Sequence, residues 1–407
     1  MAITSIISAI GNNNTIYPLI VRDCFIEAPI KIGLAYDQNR GDKYIARHAL
    51  RERTIDEYGT SLVWLGGIPF IGMIADKMIK SKGLNPNVSL KLFKDDGIQG
   101  IERNIEKFKN LAPEAVEDLI KVKNNRPKFE RMICSKFFAS VAIPIALMGF
   151  VLPKLNYALS RKLMNKPEKE NDNAQNLAFT GNFASTVANF TTLQKMAMTD
   201  GGLAVGRVST SRNKYEAIDN AVKMGGMLYL NFVAPKQIAK LLDGTMNKLF
   251  KLNVNLDPLM FEDKEFINEI KSGKLQLPKS NSPEDIIDFI DKNPKSKFTQ
   301  YASKFKKIKM LNENVRDPRA WVDIKELVRF KTDIESFSKS ATNAKDISKF
   351  AKRARNVKGI NIVSNVVISS LLLAVALPKF QYFVRKIITG SDLEPGLINN
   401  NSSNNNN

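Results

Sequence analysis

The chain has 407 residues, with 61 basic and 41 acidic side chains and a formal net charge of +20. That length admits two or three ordinary domains, and the charge creates a field attractive to anionic lipid or nucleic acid. Cys24 and Cys134 alone cannot make a disulfide scaffold, and His48, the sole histidine, excludes most zinc and nucleophile–base arrangements.

Residues 1–57 form a polar, amphipathic segment. Its start lacks the charged region of a secretory signal, so it belongs to the mature chain. Residues 39–58 carry Tyr44, Ile45, Ala49 and Ile55 among charges, with Lys43, Arg47 and Arg51 on one side, which predicts a charged helix. Residues 58–80 are apolar but interrupted by Gly66, Gly67, Pro69 and Gly72, a pattern expected of two short helical pieces, a re-entrant hairpin or a single helix. A basic helical region, 81–136, leads to the charge-free run 137–153. Pro144 near its middle leaves that run either spanning a bilayer or re-entering. Residues 154–252 read as helical and partly membrane-associated. Within them 174–194 lacks charge and sets Phe179, Phe183, Val187 and Phe190 at helical spacing, while 224–235 is too short to span unless its helix begins before Lys223.

Residues 253–358 are expected to form a soluble basic helical bundle. Ser282-Pro283-Glu284-Asp285 and Asp317-Pro318-Arg319 both look like helix starts, with a capping side chain and proline in the first turn. The run 359–378 has the roughly 20 apolar residues that a spanning helix needs. Lys345, Lys349, Lys352, Arg353, Arg355 and Lys358 precede it, which by the positive-inside rule puts 253–358 on the cytoplasmic side. Residues 379–407 form a basic exit and an asparagine-rich tail that cannot bury apolar area. The fold class expected is mainly α: a helical integral membrane protein with two or more apolar helices and a soluble helical bundle between them.

Both charge-free runs end in one string, Leu152-Pro153-Lys154-Leu155-Asn156-Tyr157 and Leu377-Pro378-Lys379-Phe380-Gln381-Tyr382. Lys154, Tyr157, Lys379 and Tyr382 are expected as anchors at the membrane interface, with proline ending each helix. A further string, Phe232-Val233-Ala234-Pro235-Lys236, closes the shorter patch. Between 295 and 310, Phe298, Tyr301, Phe305 and Ile308 form a stripe flanked by Lys297, Lys304, Lys306, Lys307 and Lys309. This is a possible surface for acidic lipid. The simpler reading, preferred to it, is that the stripe is bundle core with solvated lysines, and stacking on single-stranded nucleic acid is a weaker alternative.

Catalytic signals are absent or incomplete. Cys24 and His48 lie in no nucleophile signature, and His48 with Glu52 supplies too few ligands for a metal. Gly201 and Gly206 have the separation of a phosphate-binding loop, but Arg207-Val208 stands where Lys-Ser/Thr is required, so a turn between helices is expected. Asp285, Asp288 and Asp291 share one helical face and read as a solvated acidic start. No cofactor is implied. The function expected is a non-enzymatic scaffold or interaction protein at the membrane, in contact with anionic lipid and an unspecified protein partner. Alternatives are a small transporter or channel component, a membrane enzyme acting on lipid or phosphorylated substrate at 200–207, and a nucleic-acid binder. Transport is set back because the apolar runs contain no ionisable residue.

Overall fold

Capping and apolar periodicity produce very long helices in this chain, whose computed structural model describes residues 2–11, 16–95, 97–164, 192–250, 252, 254–391, 393 and 395. They are α1 (Ala2–Gly11), α2 (17–38), α3 (Lys43–Ser81), α4 (Ile101–Phe108), α5 (Pro113–Asn124) and α6 (Arg126–Leu163). After them come α7 (Thr192–Ser209), α8 (Lys214–Phe232), α9 (Ala234–Phe250), α10 (Pro258–Glu262) and α11 (Lys264–Ser272). The last are α12 (Pro283–Lys292), α13 (Lys297–Lys304), α14 (Ile324–Thr342) and α15 (Ile347–Thr389). No strand occurs among the described residues; Met310 and Arg316 form one isolated bridge.

Three of these helices, α3, α6 and α15, are long and apolar enough to cross a membrane. At about 1.5 Å per residue each is close to twice the length of a hydrocarbon core of about 30 Å, so a charged half extends beyond each apolar half. Asp42 starts α3 by accepting hydrogen bonds from the backbone N–H groups of Tyr44 and Ile45 at 2.8 and 3.1 Å, two of the donors a helix start leaves unpaired.

Neither the Gly66-Gly67-Ile68-Pro69 segment nor Pro144, Pro153 or Pro378 ends a helix. The chain continues helically through all of them, which selects the single helix among the alternatives for 58–80 and corrects the expectation of exits at the two Leu-Pro-Lys strings. For Pro69, Pro153 and Pro378 the physical reason is a widened π-helical turn: Leu62–Gly67 before Pro69, Ala146–Val151 before Pro153 and Leu372–Ala376 before Pro378. α2 repeats the device, with Val21–Glu27 before Pro29. A proline ring clashes with the carbonyl four residues back in a regular helix, and in each case that carbonyl lies inside the π turn, where i→i+5 bonding holds the backbone wider. The third proline string does break its helix, separating α8 from α9 at Val233.

α3 and α6 run antiparallel, joined at one end by the Tyr44 hydroxyl on the Leu163 carbonyl and near the other by a Lys136–Asp76 ion pair. Gly206 of α7 lies so close to Gly149 of α6 that a Cβ there would stand 2.8 Å from the Gly149 Cα. Small residues allow this approach. Residues 200–207, expected as a turn, are therefore the interior of α7, with Gly202 packed on Ile145.

The polar parts gather at one end of the long helices. Residues 252–357 build the largest core, in which Phe266, Phe298, Ile334 and Phe337 are fully buried. Residues 79–129 form a smaller one. The two interlock: the Arg319 guanidinium meets Asp118 at 2.7 Å, the Ser89 N–H donates to the Arg319 carbonyl at 2.8 Å, and Gln99 pairs in both directions with the Val322 backbone. Ser282 caps α12 as expected, through the Asp285 N–H at 3.2 Å. Asp317, in contrast, starts no helix; it is fully buried against Arg319, and α14 begins at Ile324 with Asp323 as its cap. Residues 82–125 hold 8 basic and 7 acidic side chains and 252–346 hold 18 and 16, so this platform is nearly neutral. The positive excess lies on the long helices, α15 alone having 8 basic residues and no acidic one. The uncharged stretch 174–194 lies outside the described residues up to 191, and the tail 399–407 lies outside them entirely.

Candidate functional site

The interior between the long helices is ionic. In α2, Arg22, Glu27 and Lys31 are buried. Arg22 donates to Asn231 of α8 at 2.8 Å and meets Glu27 at 2.8 Å, and the Lys31 ammonium holds the other Glu27 oxygen at 2.9 Å. Lys31 then reaches Glu57 of α3 at 3.6 Å, Glu57 faces Lys223 of α8 at 3.7 Å, and Lys223 holds Asp56 at 2.9 Å. Asp56 also pairs with Arg207 of α7. This ladder ties four helices together with alternating charges, each group having an opposite neighbour, as burial of charge requires.

Two further knots extend it toward the end away from the platform. Arg212 meets Glu216 at 2.7 Å and Glu52 at 3.3 Å. Asp219 receives Arg385 and Gln381, both at 2.7 Å. The charges on α8 occupy positions 216, 219 and 223, one face of a helix, and Glu52 and Asp56 are one turn apart on α3. That spacing was the available signal in the sequence. Charge-free runs drew attention to the outward halves of the helices, while the ionisable residues come from the flanking segments packed behind them.

Two of the cavities that adjoin the ladder have walls bearing both charges. The larger, about 350 Å³, lies between α1, α2, α9 and the first half of α15 and is bordered also by α10 and the segment after α13; Arg22, Lys236, Asp243, Lys358 and Asn361 are among its walls. Asn361, Asn365 and Ser369, which interrupt the apolar run of α15 every fourth residue, all face it. The smaller, about 50 Å³, is walled by Glu52, Asp56, Tyr157, Arg207, Arg212 and Lys223. Among the described residues no group of three or more His, Cys, Asp or Glu is placed to hold a metal ion.

Lys154 and Lys379 point outward and are exposed. Their partner tyrosines do not. Tyr157 is half-buried beneath the Arg212 guanidinium, 4.1 Å from its ring centre, and Tyr382 is 5% exposed beneath Arg385 at 4.9 Å. They serve the ionic interior by cation–π contact and give no interfacial ring to the outside.

The lysines of 295–309 do not make one open basic face either. Phe298, Tyr301, Phe305 and Ile308 are core residues, and α13 ends at Lys304, so 306–309 follow an irregular turn in which Lys306 has φ 56°. Lys297 is bound by Asp263 and Glu265 at 3.0 and 2.6 Å, Lys307 by Glu326 at 2.7 Å, and Lys309 faces Asp317 at 3.4 Å. Lys304 and Lys306 are exposed. Burial pushes Asp263 up, but hydrogen bonds from Tyr301 and Lys297 outweigh it and hold its carboxyl below the ordinary range; Asp317 is likewise raised by burial and brought below it by Arg319.

Other residues singled out in the sequence are structural. His48 packs edge-on against Tyr44 at 4.5 Å, Asp288 and Asp291 pair with Lys107 at 3.1 and 2.9 Å, and Cys24 and Cys134 are not in a disulfide. No protein-family model, no curated protein and no solved structure matches this chain.

Proposed function

We propose that this chain is an integral membrane protein that holds a folded helical platform at one face of the bilayer, acting there as a scaffold. The observation that carries the membrane part is an inverted distribution of polarity: the ionic ladder faces inward, while only 33% of the most apolar stretch of α15 is buried. Leu62, Phe70 and Met78 of α3, Leu155 of α6 and Ile360 and Val363 of α15 are at least half exposed. A water-soluble protein rarely leaves so continuous an apolar surface, whereas a bilayer covers it. The scaffold part rests on the one-sided, interlocked platform, and the basic N-terminal flank of α15 supports a cytoplasmic side for it by the positive-inside rule. Alkaline carbonate should leave the protein in the membrane pellet, and protease added from one side should cut both 82–125 and 252–346. Release by carbonate, or cleavage of the two parts from opposite sides, would sink the proposal.

One observation favours a second reading, transport of a small charged solute. The ladder brings ionisable groups from α2, α7 and α8 behind the charge-free runs, which removes the objection that those runs contain none. Purified protein in proteoliposomes should then carry voltage-driven chloride, phosphate or proton current that falls in Lys223→Met. Currents equal to those of empty liposomes would dismiss transport and leave the scaffold.

A further inference from the structure

We infer that the larger cavity is a binding site for the head of an anionic phospholipid, a phosphate carrying a hydroxyl-bearing substituent such as glycerol. The inference rests on the membrane reading above. Four cations, Arg22, Lys236, Lys307 and Lys358, stand on the walls against two carboxylates, Asp243 and Asp257.

Both carboxylates are occupied by protein donors. Asp243 accepts from Lys358 at 2.9 Å and from the Asn361 amide at 2.8 Å. Asp257 accepts from the Ser8 hydroxyl at 2.9 Å and from the Leu259 N–H at 2.9 Å. Lys236 is exposed at the wall and has no ion-pair partner among the described residues. Lys307 is bound by Glu326, Arg22 by Glu27 and Lys358 by Asp243, so Lys236 is the cation left on the wall for an anion, where a cation would meet carboxylates already in use.

A second observation specifies more than an anion. Asn361 is 3% exposed, and with its amide nitrogen committed to Asp243 its carbonyl oxygen is buried with no donor. A buried acceptor without a donor is costly, and a ligand hydroxyl supplies one. The other walls include Leu19, Phe232, Ile362 and Val366, which suit the first methylenes of a chain. A volume of about 350 Å³ suits a head group and a short apolar stem, since small-molecule sites span roughly 300–1,000 Å³, while two whole acyl chains must remain outside.

The placement argues for lipid over a free phosphate ester. Lys358 immediately precedes the apolar run of α15, and Lys236 opens α9, whose Leu241 and Leu249 are 70% and 69% exposed. Basic side chains at the edge of an apolar belt are where phospholipid heads lie. The inner end closes on Arg22, already held by Asn231 and Glu27.

The test uses the full chain purified in a neutral detergent, with retained lipid measured by native mass spectrometry. Phosphatidylglycerol is offered against phosphatidylcholine, and glycerol 3-phosphate is offered alone. We expect one phosphatidylglycerol per chain retained over phosphatidylcholine, with retention reduced about fivefold in Lys236→Gln, the effect of one lysine near an anionic surface, and unchanged in Lys128→Gln, an exposed control on α6. Equal retention of both lipids, or equal losses in the two variants, would overturn the site. Binding of glycerol 3-phosphate as tight as that of phosphatidylglycerol would overturn the lipid as its source. If the protein still resists carbonate extraction in those cases, the membrane reading stands without the site; release by carbonate overturns that reading separately.

Discussion

Lys31 is the rung on which the ladder turns from α2 to α3, and replacing it with methionine isolates its electrostatic role at similar volume. Its side chain is 6% exposed and its ammonium stands 2.9 Å from Glu27 and 3.6 Å from Glu57. Lys31→Met leaves two buried carboxylates short of a cation. Removing one partner of a buried pair costs about 3–5 kcal/mol, and a group serving two acids belongs at the upper end, a factor of about a thousand or more in the folding equilibrium. Adding Glu27→Gln removes one stranded charge and should restore part of the loss, about 1–2 kcal/mol of coupling. The control is Arg40→Met: Arg40 also pairs with an acid, Asp37 at 3.3 Å, but the two side chains are 78% and 63% exposed, so its cost should fall below about 1 kcal/mol. Unfolding in mixed micelles titrated with SDS measures all three variants. A Lys31→Met midpoint no lower than that of Arg40→Met would refute the ladder as a structural element.

Other outcomes follow from particular contacts. Gly206→Val should part α7 from α6, because the added carbon meets the Gly149 backbone at 2.8 Å; the expected cost is about 1–3 kcal/mol, and a cysteine pair at 145 and 202, where the same two helices touch, crosslinking equally well with Gly206 and with Gly206→Val would contradict it. Phe337→Ala in the platform, where the ring is fully buried against Phe261 and Phe266, should cost about 3–5 kcal/mol and render 252–346 protease-sensitive without releasing the protein from membranes. Asp317 has its carboxyl lowered, so its contribution is present above the unfolded value of about 3.9 and lost as pH falls through the folded value. The drop in platform stability from pH 5 to 3 should accordingly shrink in Asp317→Asn, and an unchanged drop would show that Asp317 is not responsible.

Local rules carried the sequence reading where a helix is set by its own residues. Ser282-Pro283 capped α12 and the apolar period of 359–378 marked α15, because both depend on neighbours within a turn or two. They failed where a distant partner decides. Asp317-Pro318 has the letters of a helix start, yet Arg319 takes the Asp317 carboxylate at 2.9 Å and α14 begins six residues beyond Pro318. The 295–309 lysines looked like a basic face until Asp263, Glu265, Glu326 and Asp317 closed on three of them. The ladder was the least legible feature, since Glu27, Glu57, Lys223 and Arg207 come from four helices and the pairs that join them cross from one helix to another.

The repeated Leu-Pro-Lys string joins these levels. In both copies proline follows a π turn, lysine points outward, an amide points inward and the tyrosine lies under an arginine of the interior. Asn156 donates to the Glu52 carbonyl at 2.9 Å and Gln381 to Asp219 at 2.7 Å, while Tyr157 supports Arg212 and Tyr382 supports Arg385. The resemblance between the two runs therefore reflects one local solution used twice. A π turn inserts an extra residue into the helical register, turning the face that follows it relative to the apolar face before it, so that one helix can present aliphatic side chains outward and then an amide and a ring inward. A substitution that removes the need for the wide turn, Pro378→Ala, should let the segment regularise and rotate Gln381 and Tyr382 away from Asp219 and Arg385. The Asp219–Arg385 knot would then lose its second donor while Lys379 stayed exposed. Crosslinking between cysteines at 219 and 381 distinguishes the cases: it should weaken in Pro378→Ala, and undiminished crosslinking would mean that packing, not the proline, sets the turn.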